Sequence, residues 1–196
     1  MGRTISVLLF LLAVSIGPQA LAWGGHWERR GAPQTFPRAD ALPNPRLTPG
    51  AIDPRVTQND LGRTICRRGG YTRSVRPREA YTEALKRAQI REYGYSDRRL
   101  GDYEEDHLVS LELGGSPDSP RNLWPEPHSV QGGWGSYAKD RLEDVLHRRV
   151  CAHRMSLRRA QSDIAHDWVA AYRKYMRAVP NPRPMRWQRH ERRTHW

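Results

Sequence analysis

The 196-residue chain has only two cysteines, Cys66 and Cys151, and no Cys-x-x-Cys pair. A structural zinc module, which calls for four ligands, is therefore not indicated. No apolar run after the first 22 residues approaches the roughly 20 residues that cross a bilayer, so no stop-transfer segment or membrane span is expected there. Neither a zinc finger nor a basic region leading into heptads is present, and these are modules that read DNA sequence. Acid is also in deficit, with 21 Asp and Glu against 33 Lys and Arg.

What is present begins with a leader. Arg3, an apolar stretch from Ile5 to Ile16 and the small-x-small site Ala20-Leu21-Ala22 have the layout of a secretory signal peptide over residues 1–22. The expected location is secreted or periplasmic. The net charge of +12 becomes +11 when Arg3 is removed (12 − 1), so the basic character belongs to the mature chain. Such a field attracts polyanions, nucleic acid among them. In an exported chain an even pair of cysteines most simply forms one disulfide, here Cys66 with Cys151.

Residues 23–50 hold Pro33, Pro37, Pro43, Pro45 and Pro49 without apolar periodicity, and read as a disordered proline-rich linker. The folded domain is expected over 51–179. Thr57 to Cys66 reads as a short helix or turn followed by an extended piece. Pro77 opens a helix that ends at Gly94, with Tyr81, Leu85, Ala88 and Tyr93 on its apolar side and Lys86, Arg87 and Arg91 on a basic one. Ser136 caps a helix to about Val150 with Tyr137, Leu142, Val145, Leu146 and Val150 buried. Ser156 caps the most regular helix, whose stripe runs Leu157, Ala160, Ile164, Ala165, Trp168, Val169, Tyr172 and Met176. Residues 180–196 read as a basic disordered tail.

Chemistry concentrates in Tyr103 to Pro127, YEEDHLVSLELGGSPDSPRNLWPEP. Phosphodiester hydrolysis needs a water nucleophile, a cation to neutralise charge on phosphate and leaving oxygen, and rigid positioning. His107 suits the base, since free imidazole is largely neutral at pH 7. Asn122 is a candidate to orient it once Gly114-Gly115, Pro117 and Pro120 turn the chain back. Asp106 is a hard ligand for magnesium, manganese or calcium, although an imidazole could join it around a transition metal. On an extended strand Asp106 and His107 point to opposite faces, so they share a site only where the strand ends or twists.

The run D-H-x-x-x-L-x-x-G-G followed by N-L resembles the HNH, or ββα-metal, endonuclease family in its Asp-His variant, through Asp106, His107, Leu111, Gly114, Gly115, Asn122 and Leu123. The span 57–172 is similar to exported bacterial HNH-like proteins with Thr-Ile-Cys, Asn-Leu-Trp-Pro and Lys-Asp-x-Leu-Glu motifs. The resemblance implies an α+β fold, a mostly helical domain around a β-hairpin and helix clamped on one divalent ion. The ion implied is magnesium, with manganese, calcium, nickel or zinc as alternatives. His107 would be the general base, Asn122 its positioning residue and Asp106 a metal ligand. The family supplies a second ligand, often histidine, from the following helix. No histidine stands in the first turns of the helix from Ser136, so Asp140 and Glu143 are the replacements and His128 the alternative. Lys139 and Arg121 are candidate phosphate contacts, and Trp124 is read as a core anchor.

The leading expectation is a secreted, metal-dependent endonuclease acting on DNA or RNA with little sequence specificity. A catalytically inactive nucleic-acid-binding protein on the same scaffold and a cationic envelope-binding protein are the alternatives.

Overall fold

A computed structural model describes residues 34–176. The leader, residues 23–33 of the linker and the basic tail lie outside the described residues. The order within them is α1 (Tyr71–Val75), α2 (Glu79–Glu92), β1 (Tyr103–His107), β2 (Leu123–Pro127), α3 (Ser136–Cys151) and α4 (Leu157–Met176), with two short 3-10 turns before α1, one between α2 and β1 and one between β1 and β2. The fold is α+β. Among the described residues no helix is long and apolar enough to cross a membrane.

The two strands form one antiparallel hairpin in which Tyr103 faces Pro127, Asp106 faces Trp124 and His107 faces Leu123. A two-stranded hairpin is marginal alone, and here helices support it. Gln89 of α2 donates to the Leu123 carbonyl at 2.9 Å, and Lys86 of α2 donates to the Tyr103 carbonyl at 3.3 Å. On α3, Leu142, Val145, Leu146 and Val150 are buried at the spacing the sequence predicts. They meet Leu157, Ala160, Ile164 and Trp168 of α4 in one core with Trp124.

Several expectations change here. Residues 34–50 are not a free linker. Phe36 is buried against Tyr103 with ring centres 4.9 Å apart, and its backbone pairs with Ser129 and Gln131. The Trp168 indole N–H donates to the Ala41 carbonyl at 2.6 Å. Its four prolines (Pro37, Pro43, Pro45 and Pro49) do not oppose this, because the segment is held by side-chain packing and isolated backbone pairings that need few backbone donors.

No extended piece precedes Cys66. A 3-10 turn at Gln58–Asp60 continues through turns, with the Cys66 N–H donating to the Leu61 carbonyl. The helix expected from Pro77 to Gly94 is α2, and a short helix the sequence reading did not include, α1, precedes it across Arg76 to Arg78. The buried side of α2 is Lys86, Gln89 and Ile90, while Tyr81 is exposed, so Lys86 leaves the basic face. Tyr137 is exposed on α3. Gly135 takes the N-cap position, and the Ser136 hydroxyl pairs with His128 instead of capping. The regularity of α4 breaks at Asp167, whose backbone is extended, and its carboxylate accepts from the Ala170 N–H as an N-cap to the second segment.

The Cys66–Cys151 disulfide is formed with Cα atoms 5.5 Å apart. It ties the turn before α1 to the last residue of α3.

Candidate active site

Asp106 and His107 are the last two residues of β1. Alternation would separate their side chains, but the strand stops at His107 and both line one cleft of about 280 Å³. Asp140, Glu143 and Asp144 of α3 line the same cleft, as do Glu112 from the 3-10 turn Leu111–Leu113 and Arg76 from the end of α1. Asp106, His107, Asp140 and Glu143 thus line one cleft.

His107 is 5 % exposed. Its Nε2 stands 2.8 Å from the Pro117 carbonyl. A carbonyl can only accept, so in the neutral ring Nε2 carries the hydrogen and Nδ1 keeps a bare lone pair. Burial holds the imidazole pKa below its ordinary 6.5 and outweighs the upward pull of Asp106. The ring is therefore neutral at pH 7 and equipped to take a proton.

Asn122 does not orient that ring. Its Oδ1 accepts from the Val109 N–H at 2.9 Å, and its Nδ2 donates to the Val109 and Ser116 carbonyls, both at 3.0 Å. All three bonds clip the loop joining the strands, and the Pro117 carbonyl that does hold His107 is the residue after Ser116. The glycines serve this clip. A Cβ on Gly115 would lie 1.7 Å from the Val109 oxygen and 2.6 Å from Asn122 Nδ2. Gly114 has φ +73°, and a Cβ there would press on Val56 at 2.7 Å.

Lys139 is not a phosphate contact. Its ammonium is fully buried and bonds Asp106 Oδ2 at 2.5 Å, the His107 carbonyl at 2.8 Å and Glu143, with Glu126 at 4.0 Å. It is the internal counter-ion of three carboxylates. Burial works against the Asp106 carboxylate, yet Lys139 and a hydrogen bond from Glu126 hold its pKa below the ordinary value. Glu126 and Glu143 go the other way, their carboxyls pushed well up by burial despite Lys139. Neither Glu126 oxygen receives a donor from a nitrogen or hydroxyl among the described residues, consistent with a protonated Glu126 donating to Asp106. Burial, with Asp106 and Asp140 adding, raises Glu104 to about 8, and burial beside Glu112 raises Asp144 to about 6.

One ammonium thus serves more carboxylate than it can neutralise, and the surplus is held as bound protons. An all-oxygen donor set with such surplus fits a hard divalent cation, which would take the place of those protons. Asp106 with Asp140 and Glu143 are the residues that would hold it.

Two expected residues stand elsewhere. His128 is turned to Ser136 at 2.9 Å and stacks on the Tyr137 ring, away from the cleft lining. Arg121 is exposed, and its backbone carbonyl accepts from Gly50 and Ala51. Conversely, Arg76, Glu104, Glu112, Glu126 and Asp144 were not singled out in the sequence. Helical spacing carried a signal for Asp144, four residues after Asp140, and for the Lys139–Glu143 pair. Strand alternation carried one for Glu104, two residues before Asp106. Compared with known proteins, the chain matches no family model, no curated protein and no solved structure.

Proposed function

We propose that this chain is an exported, divalent-metal-dependent endonuclease of the HNH type that hydrolyses phosphodiester bonds of DNA or RNA with little sequence specificity. The observation that carries the reading is a buried, neutral His107 with Nδ1 bare, placed beside Asp106 in a carboxylate-lined cleft. In the cleft lining five carboxylates (Asp106, Glu112, Asp140, Glu143 and Asp144) face one arginine, Arg76. A phosphodiester would be repelled from that lining unless a cation joined it.

When bound, a divalent ion supplies neutralisation of the charge that gathers on the phosphate and leaving oxygen. His107 Nδ1 accepts a proton from water as the water oxygen bonds to phosphorus and the bond to the leaving oxygen breaks. The Pro117 carbonyl keeps the ring in the tautomer this requires. Arg76 supplies a guanidinium at the cleft for a phosphate oxygen. The basic mature chain favours a polyanionic partner.

Plasmid nicking tests the proposal. Disulfide-intact protein is expected to cut with magnesium or manganese and to stop with a chelator. His107→Ala should lower the rate by about 10²- to 10⁴-fold. Absence of cleavage with magnesium, manganese, calcium, nickel and zinc alike, on DNA and on RNA, sinks the reading.

One observation favours a second reading. The Lys139 ammonium already neutralises part of the carboxylate cluster, so the site can hold together without a divalent ion. The chain would then bind nucleic acid without cutting it. Calorimetry separates the two: heat of magnesium or manganese binding that is lost in Asp106→Asn supports the nuclease, and no such heat supports the binding protein.

A further inference from the structure

A second cluster of metal-binding side chains stands at the far end of α3. Cys66, His147 and Cys151 each place one potential ligand atom within 4.8 Å of the others'. Two of them, His147 and Cys151, are four residues apart on α3 and so share one helical face. Cys66 comes from the turn packed across from them. In the oxidised protein the sulfurs are consumed in the disulfide and offer no thiolate.

The imidazole is already oriented. His147 Nε2 lies 2.9 Å from the Ile65 carbonyl, the residue before Cys66, so Nε2–H is the donor and Nδ1 keeps the lone pair. A backbone carbonyl fixing one ring nitrogen is how metal-binding histidines are commonly held. Glu112 Oε2 is 3.7 Å from that Nδ1, which brings a carboxylate to the edge of the group.

We propose that once the disulfide is reduced, Cys66, His147 and Cys151 form a site for one thiophilic divalent cation such as zinc. Two thiolates and an imidazole are a soft donor set suited to zinc or cobalt, and three protein ligands leave a fourth position for solvent or carboxylate. The chemistry balances with a trialkylphosphine as reductant. Phosphorus gives two electrons to the sulfur–sulfur bond and becomes the phosphine oxide with oxygen from water, and the water protons complete two thiols. The cation then replaces both thiol protons. Its consequence is a clamp that closes the same 85-residue loop in reducing and oxidising surroundings alike, by metal in the one and by disulfide in the other. The proposal does not rest on the nuclease reading, since none of the three ligands lines the cleft.

Cobalt titration of the full chain reduced with phosphine tests it. Thiolate-to-cobalt absorption is expected to rise to about one equivalent and to be abolished by zinc or by Cys151→Ser. His147→Ala should weaken cobalt binding at least about tenfold. Asp106→Asn should leave the absorption intact, which separates this site from the cleft. Absence of thiolate absorption, or an affinity untouched by His147→Ala, overturns the proposal. If reduction loosens the fold, zinc should raise the melting temperature of the reduced wild type and not that of reduced His147→Ala. No shift, or equal shifts, also overturns it.

Discussion

Glu105 shows how far a residue's behaviour departs from its type. Both its carboxylate oxygens are buried without a hydrogen-bond partner among the described residues. Burial raises its pKa to about 8, with Asp106 adding and Lys86 opposing. The folded value therefore lies above the unfolded one, near 4.3. The stabilisation that comes from its bound proton is complete below about pH 4.3 and is lost as pH rises through about 8. Glu105→Gln keeps the neutral shape without the charge. It is expected to stabilise the protein by about 1–3 kcal/mol at pH 8 and to do little at pH 4.5, read by urea unfolding at both. An equal effect at the two pH values would refute this account. Nothing local in Glu104-Glu105-Asp106 announces such a difference, because it comes from α2 closing over one side of β1.

At the scale of elements, the hairpin loop and α3 make the site, and each can be tested. Gly115→Ala puts a methyl group into the Val109 carbonyl and Asn122, and should cost at least about 3 kcal/mol. Gly62→Ala, where no atom lies within 4 Å of the added Cβ, serves as the control and should change stability by no more than about 0.5 kcal/mol. Thermal melts of the pair decide whether the Gly-Gly step is a packing requirement or only a turn. On α3, Lys139→Met leaves Asp106, Glu126 and Glu143 without their ammonium. The loss should be about 3–5 kcal/mol at pH 7. Because Lys139 holds the Asp106 pKa below its unfolded value, that stabilisation exists at neutral pH and fades as pH falls through the folded value. The gap between variant and wild type should therefore narrow in acid; a constant gap from pH 7 to pH 3 would show that packing, not charge, is what Lys139 supplies.

The whole molecule is a basic chain with an acidic cleft, closed by one long disulfide loop. Reduction in the presence of a chelator should lower stability by about 4 kcal/mol, from the freedom an 85-residue loop regains on unfolding. Urea midpoints of oxidised and reduced protein measure this, and coincident midpoints would mean that the cross-link constrains little. The contrast in charge also has a consequence for binding. Under the proposed function, basic residues spread over the chain would attract a polyanion at long range, while the carboxylates in the cleft would admit a phosphate only with a cation present.

The amino-acid order alone was enough for a chain reversal between His107 and Asn122 and for most of the buried stripes of α3 and α4, Tyr137 and the break at Asp167 excepted. These follow from periodicity and from residues close along the chain. It was not enough for side chains whose role depends on what packs over them. Lys139 looked like a surface cation and is a buried counter-ion, because β1 and β2 bring Asp106 and Glu126 onto α3. His128 looked like a ligand, and Ser136 turns it aside. Asn122 looked like the partner of His107 and instead clips the loop whose next carbonyl does that work. Residues 34–50 looked free, and become structure only because Tyr103 and Trp168, distant in the chain, supply the surface they cover. Hydrophobic spacing is written locally, but burial and the direction of a charge are set by segments that meet only in the fold.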